Sequence, residues 1–265
     1  MTGAAALPVV VKVGGNEIDD AGFLAGLAPA LGALGAPAVV VHGGGKEISA
    51  LQQALGIEPR YLDGVRVTDA ASLAAVEMVL CGAVNTRVVR HLLAGGLDAL
   101  GVSGVDRGLI RAEKMPHPHT DMGFTGMVTA VRAEVLRGWL AEGVTPVIAP
   151  ICLGPDSAYN VNADHAAGAV AAALGAARVV FLTNVEGVMI DGNVIGALDA
   201  ARARALIADG TIFGGMIPKV QTALHVLEMG VPQAIITNLA GLQRHSGTVF
   251  TRAAHTTGES TDEHH

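Results

Sequence analysis

Four lysines occur in the chain, and three of them stand beside glycine turns. Lys12 precedes Gly14-Gly15, Lys46 follows Gly43-Gly44-Gly45, and Lys219 follows Gly214-Gly215. The chain otherwise draws its positive charge from arginine, which supplies 13 of its 17 basic residues. Lysine carries a compact point charge on a flexible stem and can follow a moving phosphoryl group. Glycine has no Cβ, so an anion can reach the backbone N–H groups there. Lysine beside glycine at the end of a strand is therefore a plausible phosphate cradle. The same pattern also fits a strand-to-helix turn whose lysine snorkels to water.

Other polar residues cluster by spacing. Asn160, Asn162 and Asp164 alternate just before a small-residue helix, which places three polar groups on one side of an extended segment. Capping the helix accounts for one of them and not for all three. Arg66 lies among small residues in Gly64-Val65-Arg66-Val67-Thr68. Its fork could hold a carboxylate through two parallel bonds, or simply make a surface ion pair. His117 and His119 invite a metal reading, but the flanking Pro116 and Pro118 favour a mobile polar loop.

Several classes are excluded. No GxGxxG occurs, and Gly43–Lys46 is not a Walker A loop, because no glycine lies five residues before Gly45 and no Ser or Thr follows Lys46. Cys81 and Cys152 are isolated, which argues against a zinc site or a disulfide framework. A net charge of -7 argues against nucleic acid or an anionic membrane as partner. No basic leader precedes the first strand, and no apolar run reaches spanning length without Gly, Pro or a charge. These features imply a cytoplasmic soluble protein.

The elements that must position these residues follow from pattern. Val9–Val13, Ala38–Val41, Ala99–Val102, Thr145–Ala149, Arg178–Thr183, Gln233–Thr237 and Thr248–Thr251 predict strands, the fourth of them ending at Pro150. Helices are predicted over Asp20–Leu34, from Lys46 to Leu55, as one long stretch over Asp69–Leu93, and over Arg132–Glu142, Ala166–Leu174, Ala197–Asp209 and from Gly214 to Met229. Gly56–Asp63 is predicted as loop, and Asp106–Val131 as a hairpin at a sheet edge. Strands alternating with helices, in a chain that is 51% hydrophobic and rich in Ala, Val, Leu and Gly, predict a parallel sheet covered by helices on both faces. The tail from Ala253 is predicted to be disordered.

The motifs Lys12–Gly15, Val41–Gly45, Gly64–Thr68, Asn160–Asp164 and Gly214–Lys219, in this order, resemble the amino-acid kinase family, nearest its members that phosphorylate N-acetyl-L-glutamate. The resemblance implies an α/β/α three-layer sandwich around a mainly parallel sheet. It implies one domain over 1–252, with the amino-acid substrate held by about 1–175 and ATP by about 176–252. It implies transfer of a phosphoryl group from ATP, with Mg²⁺ bound through the nucleotide phosphates and no dedicated protein metal cage, to the γ-carboxylate of N-acetyl-L-glutamate in arginine biosynthesis. Catalytic roles would fall to Lys12, Lys219 and Asp164, with Asp164 holding both lysines. Gly43, Gly44, Gly45, Arg66 and Asn160 would bind the acceptor. Lys12, Gly14, Gly15, Asn184, Val185, Gly187, Gly215, Met216 and Lys219 would bind ATP. The family's arginine-inhibited members carry an extra N-terminal helix that has no room before Val9, and the segment between Leu239 and Thr248 is short. An arginine-insensitive homodimer joined through the long helix is therefore expected. A kinase for carrier-linked aminoadipate, or an inactive sensor on the same fold, are the alternatives. The acidic chain and the retention of Lys12, Asp164 and Lys219 weigh against them.

Overall fold

A computed structural model describes residues 6–62 and 64–252. The predicted tail, 253–265, lies outside the described residues. Strand β1 (Val9–Val13) is buried except at Lys12. Val9, Val11 and Val13 pack into one core and Val10 into another, so alternation puts Lys12 on the Val10 face. Helix α1 (Ala21–Gly32) starts where Asp20 accepts hydrogen bonds from the backbone N–H of Gly22 and Phe23. Strand β2 (Ala38–His42) runs parallel to β1 and enters helix α2 (Gly45–Ala54) through Gly43 and Gly44.

The predicted loop 56–63 instead contains β3 (Arg60–Leu62), paired antiparallel with β4 (Val65–Val67). The pairing sets Tyr61 opposite Arg66, which sequence pattern over so short a run could not reveal. The predicted long helix is present but not uniform. It comprises α3 (Ala70–Glu77), a π-helical segment Met78–Val84, and α4 (Asn85–Ala94). Such widened turns occur often at functional sites. Here the segment presses on the glycines after β2, since a Cβ on Gly44 would lie 2.7 Å from Leu80 Cδ2. This continuous helix is long and apolar enough to cross a membrane by length and composition, yet half of its most apolar window is buried in the protein.

Strand β5 (Ala99–Gly104) is followed by β6 (Ile110–Lys114) and β7 (Thr125–Val131), which form the expected hairpin. It is not a free edge, because β9 (Ala158–Val161) pairs with β7. Between them come α5 (Ala133–Ala141) and β8 (Thr145–Leu153). Strand β8 passes through Pro150 rather than stopping there. The missing donor is tolerated because partners change at that point: β5 shifts register after Ser103, and β9 pairs only from Ile151 onward.

Helix α6 (Ala163–Leu174) begins three residues earlier than predicted, capped by Asn162. Then follow β10 (Arg178–Leu182), the small hairpin of β11 (Met189–Ile190) and β12 (Asn193–Val194), β13 (Ala197–Asp199), and α7 (Ala200–Ala208). The start of the predicted Ala197–Asp209 helix is thus a strand, with Asp199 capping α7. Helix α8 (Met216–Glu228), β14 (Ala234–Thr237), the short α9 (Leu239–Gln243), which the pattern did not indicate, and β15 (Thr248–Thr251) complete the described chain.

One sheet runs β13-β15-β14-β10-β1-β2-β8-β6-β7-β9, with β5 also on β8. Most pairings are parallel, and β1 lies near the middle between β10 and β2. Leu136, Val170, Leu206 and Leu227 from α5 to α8 fill the core on one face. Leu27, Ile48, Val76, Leu92 and Leu242 fill the other. The chain is an α/β/α sandwich about a mainly parallel sheet.

Candidate active site

Parallel strands β1, β2 and β10 end at one edge of the sheet, and their exit loops meet there. In open α/β sheets this crevice at the carboxyl ends of the strands is where ligands bind. Three helix starts converge on it: α2 after Gly44, α6 after Asn162, and α8 after Gly215. Helix starts carry unpaired N–H groups and a partial positive charge. The loop after β1 closes on the start of α2. A Cβ on Gly15 would lie 2.8 Å from the backbone N of Gly45 and 3.1 Å from that of Gly44.

Two cavities open on this edge. One, of about 360 Å³, is lined by Lys12, Gly14, Gly15, Asn184 and Lys219, with Glu17, Lys46 and Thr183 beside them. The other, of about 240 Å³, is lined by Gly43, Gly44, Arg66 and Asn160, with Tyr61, Leu80 and Thr125 beside them. They adjoin: Lys12, Gly15, Gly45 and Asp164 line both. Gly14, Asn184 and Lys219 of the predicted nucleotide-side residues thus line one space and Gly43, Gly44, Arg66 and Asn160 of the acceptor-side residues the other, with Lys12 and Asp164 between them.

Lys12 Nζ pairs with Asp164 Oδ1 at 2.9 Å, and both side chains are largely shielded, at 18% and 27% exposure. Asp164 reaches Lys12 because Asn162 Oδ1 accepts from the backbone N–H of Asp164 and His165 and so fixes the first turn of α6. Lys219 lines the same cavity but does not share that carboxylate among the described ion pairs. Its Nζ donates to the Gly215 carbonyl at 3.4 Å, so Asp164 holds one lysine and not the expected two.

Arg66 is buried and tied on several sides. Its guanidinium donates to Gln52 Oε1 and the Tyr61 hydroxyl, to Ser49 Oγ at 2.9 Å and to the Gly45 carbonyl at 3.2 Å. Burial pulls its pKa below the ordinary arginine value. Asn160 Nδ2 donates to Thr68 Oγ1 at 3.0 Å. Thr125 Oγ1 in turn donates to the Arg66 carbonyl at 2.7 Å, which locks β4 against β7. Thr68 belongs to this buried network, while Asp69 caps α3.

His42 marks the turn after β2 and is fully buried. Nδ1 donates to the Gly43 carbonyl at 3.0 Å, and Nε2 accepts from Asn85 Nδ2 at 3.0 Å. Desolvation pushes its pKa down to about 4, so the ring is neutral and structural, not an acid or base. Below the loops, Arg87 forks onto Glu47 at 2.7 and 2.8 Å and approaches Asp19 at 3.8 Å, tying α4 to α2 and to the loop after β1. That contact pulls the Glu47 carboxyl below its ordinary range.

Val185, Gly187, Gly215 and Met216 line neither cavity. Gly187 has a packing reason to be glycine, since a Cβ there would lie 2.7 Å from Thr248 Oγ1. Gly215 caps α8, and Met216 packs on the core. Sequence reasoning missed Gln52, Ser49, Tyr61 and Thr125. Only their placement next to Arg66 in three dimensions distinguishes them. Among the described residues no cluster of three His, Cys, Asp or Glu side chains could hold a metal ion. Asp164, the carboxylate between the cavities, is already engaged by Lys12. Lys12 and Lys219 in the larger cavity are cations that suit nucleotide phosphates, on which a metal would be carried.

Comparison with known proteins gives the family and the fold. The sequence profile of the amino acid kinase family matches residues 8–238. The acetylglutamate kinase of Roseiflexus sp. strain RS-1 is 59% identical over 243 residues, covering 92% of this chain and 93% of that protein. That of Methanopyrus kandleri is 42% identical over 249 residues, covering 91% and 98%. Among solved structures, smu.665 of Streptococcus mutans UA159 superposes with a TM-score of 0.79 at 27% identity, covering 93% and 99% of the two chains. Giardia carbamate kinase superposes with a TM-score of 0.65 at 16% identity over 94% of this chain and 100% of that one, which speaks to the fold alone.

Proposed function

The chain belongs to the amino acid kinase family, it is a kinase, and we propose that it transfers the γ-phosphoryl group of ATP to the γ-carboxylate of N-acetyl-L-glutamate. The observation that carries this reading is the pair of adjoining cavities with Lys12, Gly15, Gly45 and Asp164 common to both. A two-substrate transfer needs two spaces and a shared wall where the reacting groups meet.

The acceptor carboxylate has a pKa near ~4.3 and is ionised at neutral pH, so no general base is needed. One of its oxygens attacks the γ-phosphorus, the bond from that phosphorus to the β–γ bridging oxygen breaks, and ADP leaves with the electron pair. No proton moves. The obstacle is repulsion between two anions. Lys12, at the wall between the cavities, and Lys219, in the nucleotide-side cavity, are the cations that would offset it. Backbone N–H groups at Gly15, Gly44 and Gly45 would cradle the phosphoryl oxygens. Mg²⁺, when bound to the nucleotide, supplies further charge neutralisation on the β- and γ-phosphates. Arg66 and Asn160 would hold the acceptor's α-carboxylate end in the smaller cavity.

The product, an acyl phosphate, suits arginine biosynthesis in the cytoplasm. The exposed face of the continuous helix over α3 and α4, with Met78 and Leu93 at 62% and 51% exposure, supports pairing of two copies into a homodimer, which light scattering would detect. A coupled ADP-release assay with N-acetyl-L-glutamate, glutamate and aminoadipate tests the activity. The expected result is turnover with N-acetyl-L-glutamate far above the others. Preference for aminoadipate, or no ADP release with any of them, would overturn it.

A further inference from the structure

Arg66 has a buried inner side and a partly buried outer side. On the inner side stands Gln52, with 0% exposure, on α2. Arg66 has only donors, so the Gln52 carbonyl oxygen must face it. The Gln52 amide nitrogen then donates to Ser72 Oγ at 2.8 Å. Ser72 is 3% exposed, and its backbone N–H donates to the α3 cap Asp69. Every link from α3 through Gln52 to the guanidinium is thus satisfied and dry. A buried polar chain of this kind holds one geometry, because any other leaves a polar group unpaired.

The outer side differs. One nitrogen, Nη2, faces three acceptors with two hydrogens: the Tyr61 hydroxyl, Ser49 Oγ and the Gly45 carbonyl. All are neutral, and Tyr61 is 54% exposed at the rim of the smaller cavity. A carboxylate makes a stronger, charge-assisted bond to the same nitrogen and would displace the outermost of them.

We infer that Gln52 is the positioning residue for Arg66, clamping the inner side of its guanidinium, while the Tyr61 hydroxyl is a placeholder that the acceptor's carboxylate displaces. The inference rests on Arg66 being the carboxylate holder of the proposed reaction. It concerns binding of the acceptor and not phosphoryl transfer itself.

The test is steady-state kinetics of the full chain with a crystal structure of one variant. Gln52→Leu should raise KM for N-acetyl-L-glutamate about 10-fold or more, with KM for ATP and kcat within about twofold of wild type. Gln52→Glu, which keeps an acceptor facing Arg66, should restore most of the loss. Tyr61→Phe should leave that KM unchanged or lower it. Should Gln52→Leu fail to fold, Gln52→Met takes its place with the same expected values. Equal rises in both KM values, or no rise in a folded variant, would overturn the inference. So would an Arg66 guanidinium still in its wild-type place in the Gln52→Leu crystal structure. That structural readout holds even if wild-type enzyme proves inactive on N-acetyl-L-glutamate, a result that would overturn the activity reading alone.

Discussion

The two cavities are built in opposite ways. The acceptor-side cavity is built on a buried polar network: Arg66, Gln52, Ser72, Thr68, Thr125 and Asn160 hold one another through direct hydrogen bonds. The nucleotide-side cavity is built on backbone turns and three lysines, of which Lys12 is paired with Asp164 and the other two are loosely tethered. Lys219 has one long bond to its own helix, and Lys46 in the first turn of α2 is exposed. The difference matches the two tasks. A small planar carboxylate is recognised by a fork held in one geometry. A transferring phosphoryl group changes position as bonds form and break, and point charges on flexible stems can follow it.

That contrast can be broken at several points. The largest effect is expected for the lysines: Lys12→Ala or Lys219→Ala should lower kcat by about 10²-fold or more, a few kcal/mol of lost electrostatic stabilisation, as read by ADP release at saturating substrates. Arg66→Ala should act on the other cavity, raising KM for N-acetyl-L-glutamate by about 10- to 100-fold while KM for ATP changes little. Arg66→Lys should recover little of this, because an ammonium cannot reproduce the fork. Gly15→Ala should cost about 10-fold in kcat/KM for ATP, since its Cβ would meet the backbone nitrogens of Gly44 and Gly45 and push the two turns apart.

A separate effect, on stability rather than on turnover, lies beneath both cavities. His42 is neutral in the folded protein down to about pH 4, whereas an unfolded histidine takes up a proton near pH 6.5. Between those values the unfolded chain binds more protons, so stability falls as pH drops through that window. The full cost is about 3 kcal/mol below pH 4, and it vanishes above about pH 7. NMR titration of the His42 ring should show no protonation at pH 5, and a ring that titrates near pH 6.5 would contradict its burial.

What the sequence disclosed divides along the same line. Glycine-lysine turns at strand ends are local patterns, and Lys12, Gly15, Gly45 and Lys219 were legible for that reason. The strand-helix alternation gave the layered sheet. Arg66 and Asn160 were legible as motif residues, but their partners were not. Gln52 looks like an ordinary surface residue of an amphipathic helix until α3 and β4 cover it. The β3–β4 hairpin is three residues a side, too short for its alternation to register. The π-helical turn leaves no mark in the heptad-like pattern, since Val76, Val79, Leu80, Val84 and Val88 remain apolar on one side whichever turn width joins them.

The central claim is that Lys12, at the wall between the adjoining cavities, and Lys219, in the larger of them, act on one phosphoryl group. It is tested most directly by kcat of wild type, Lys12→Ala, Lys219→Ala and the double variant, all at saturating ATP and N-acetyl-L-glutamate. The account predicts a loss of about 10²-fold or more in each single variant and a double-variant loss well short of their product, because groups that act as a unit are not additive. Near wild-type turnover in either single variant would contradict it.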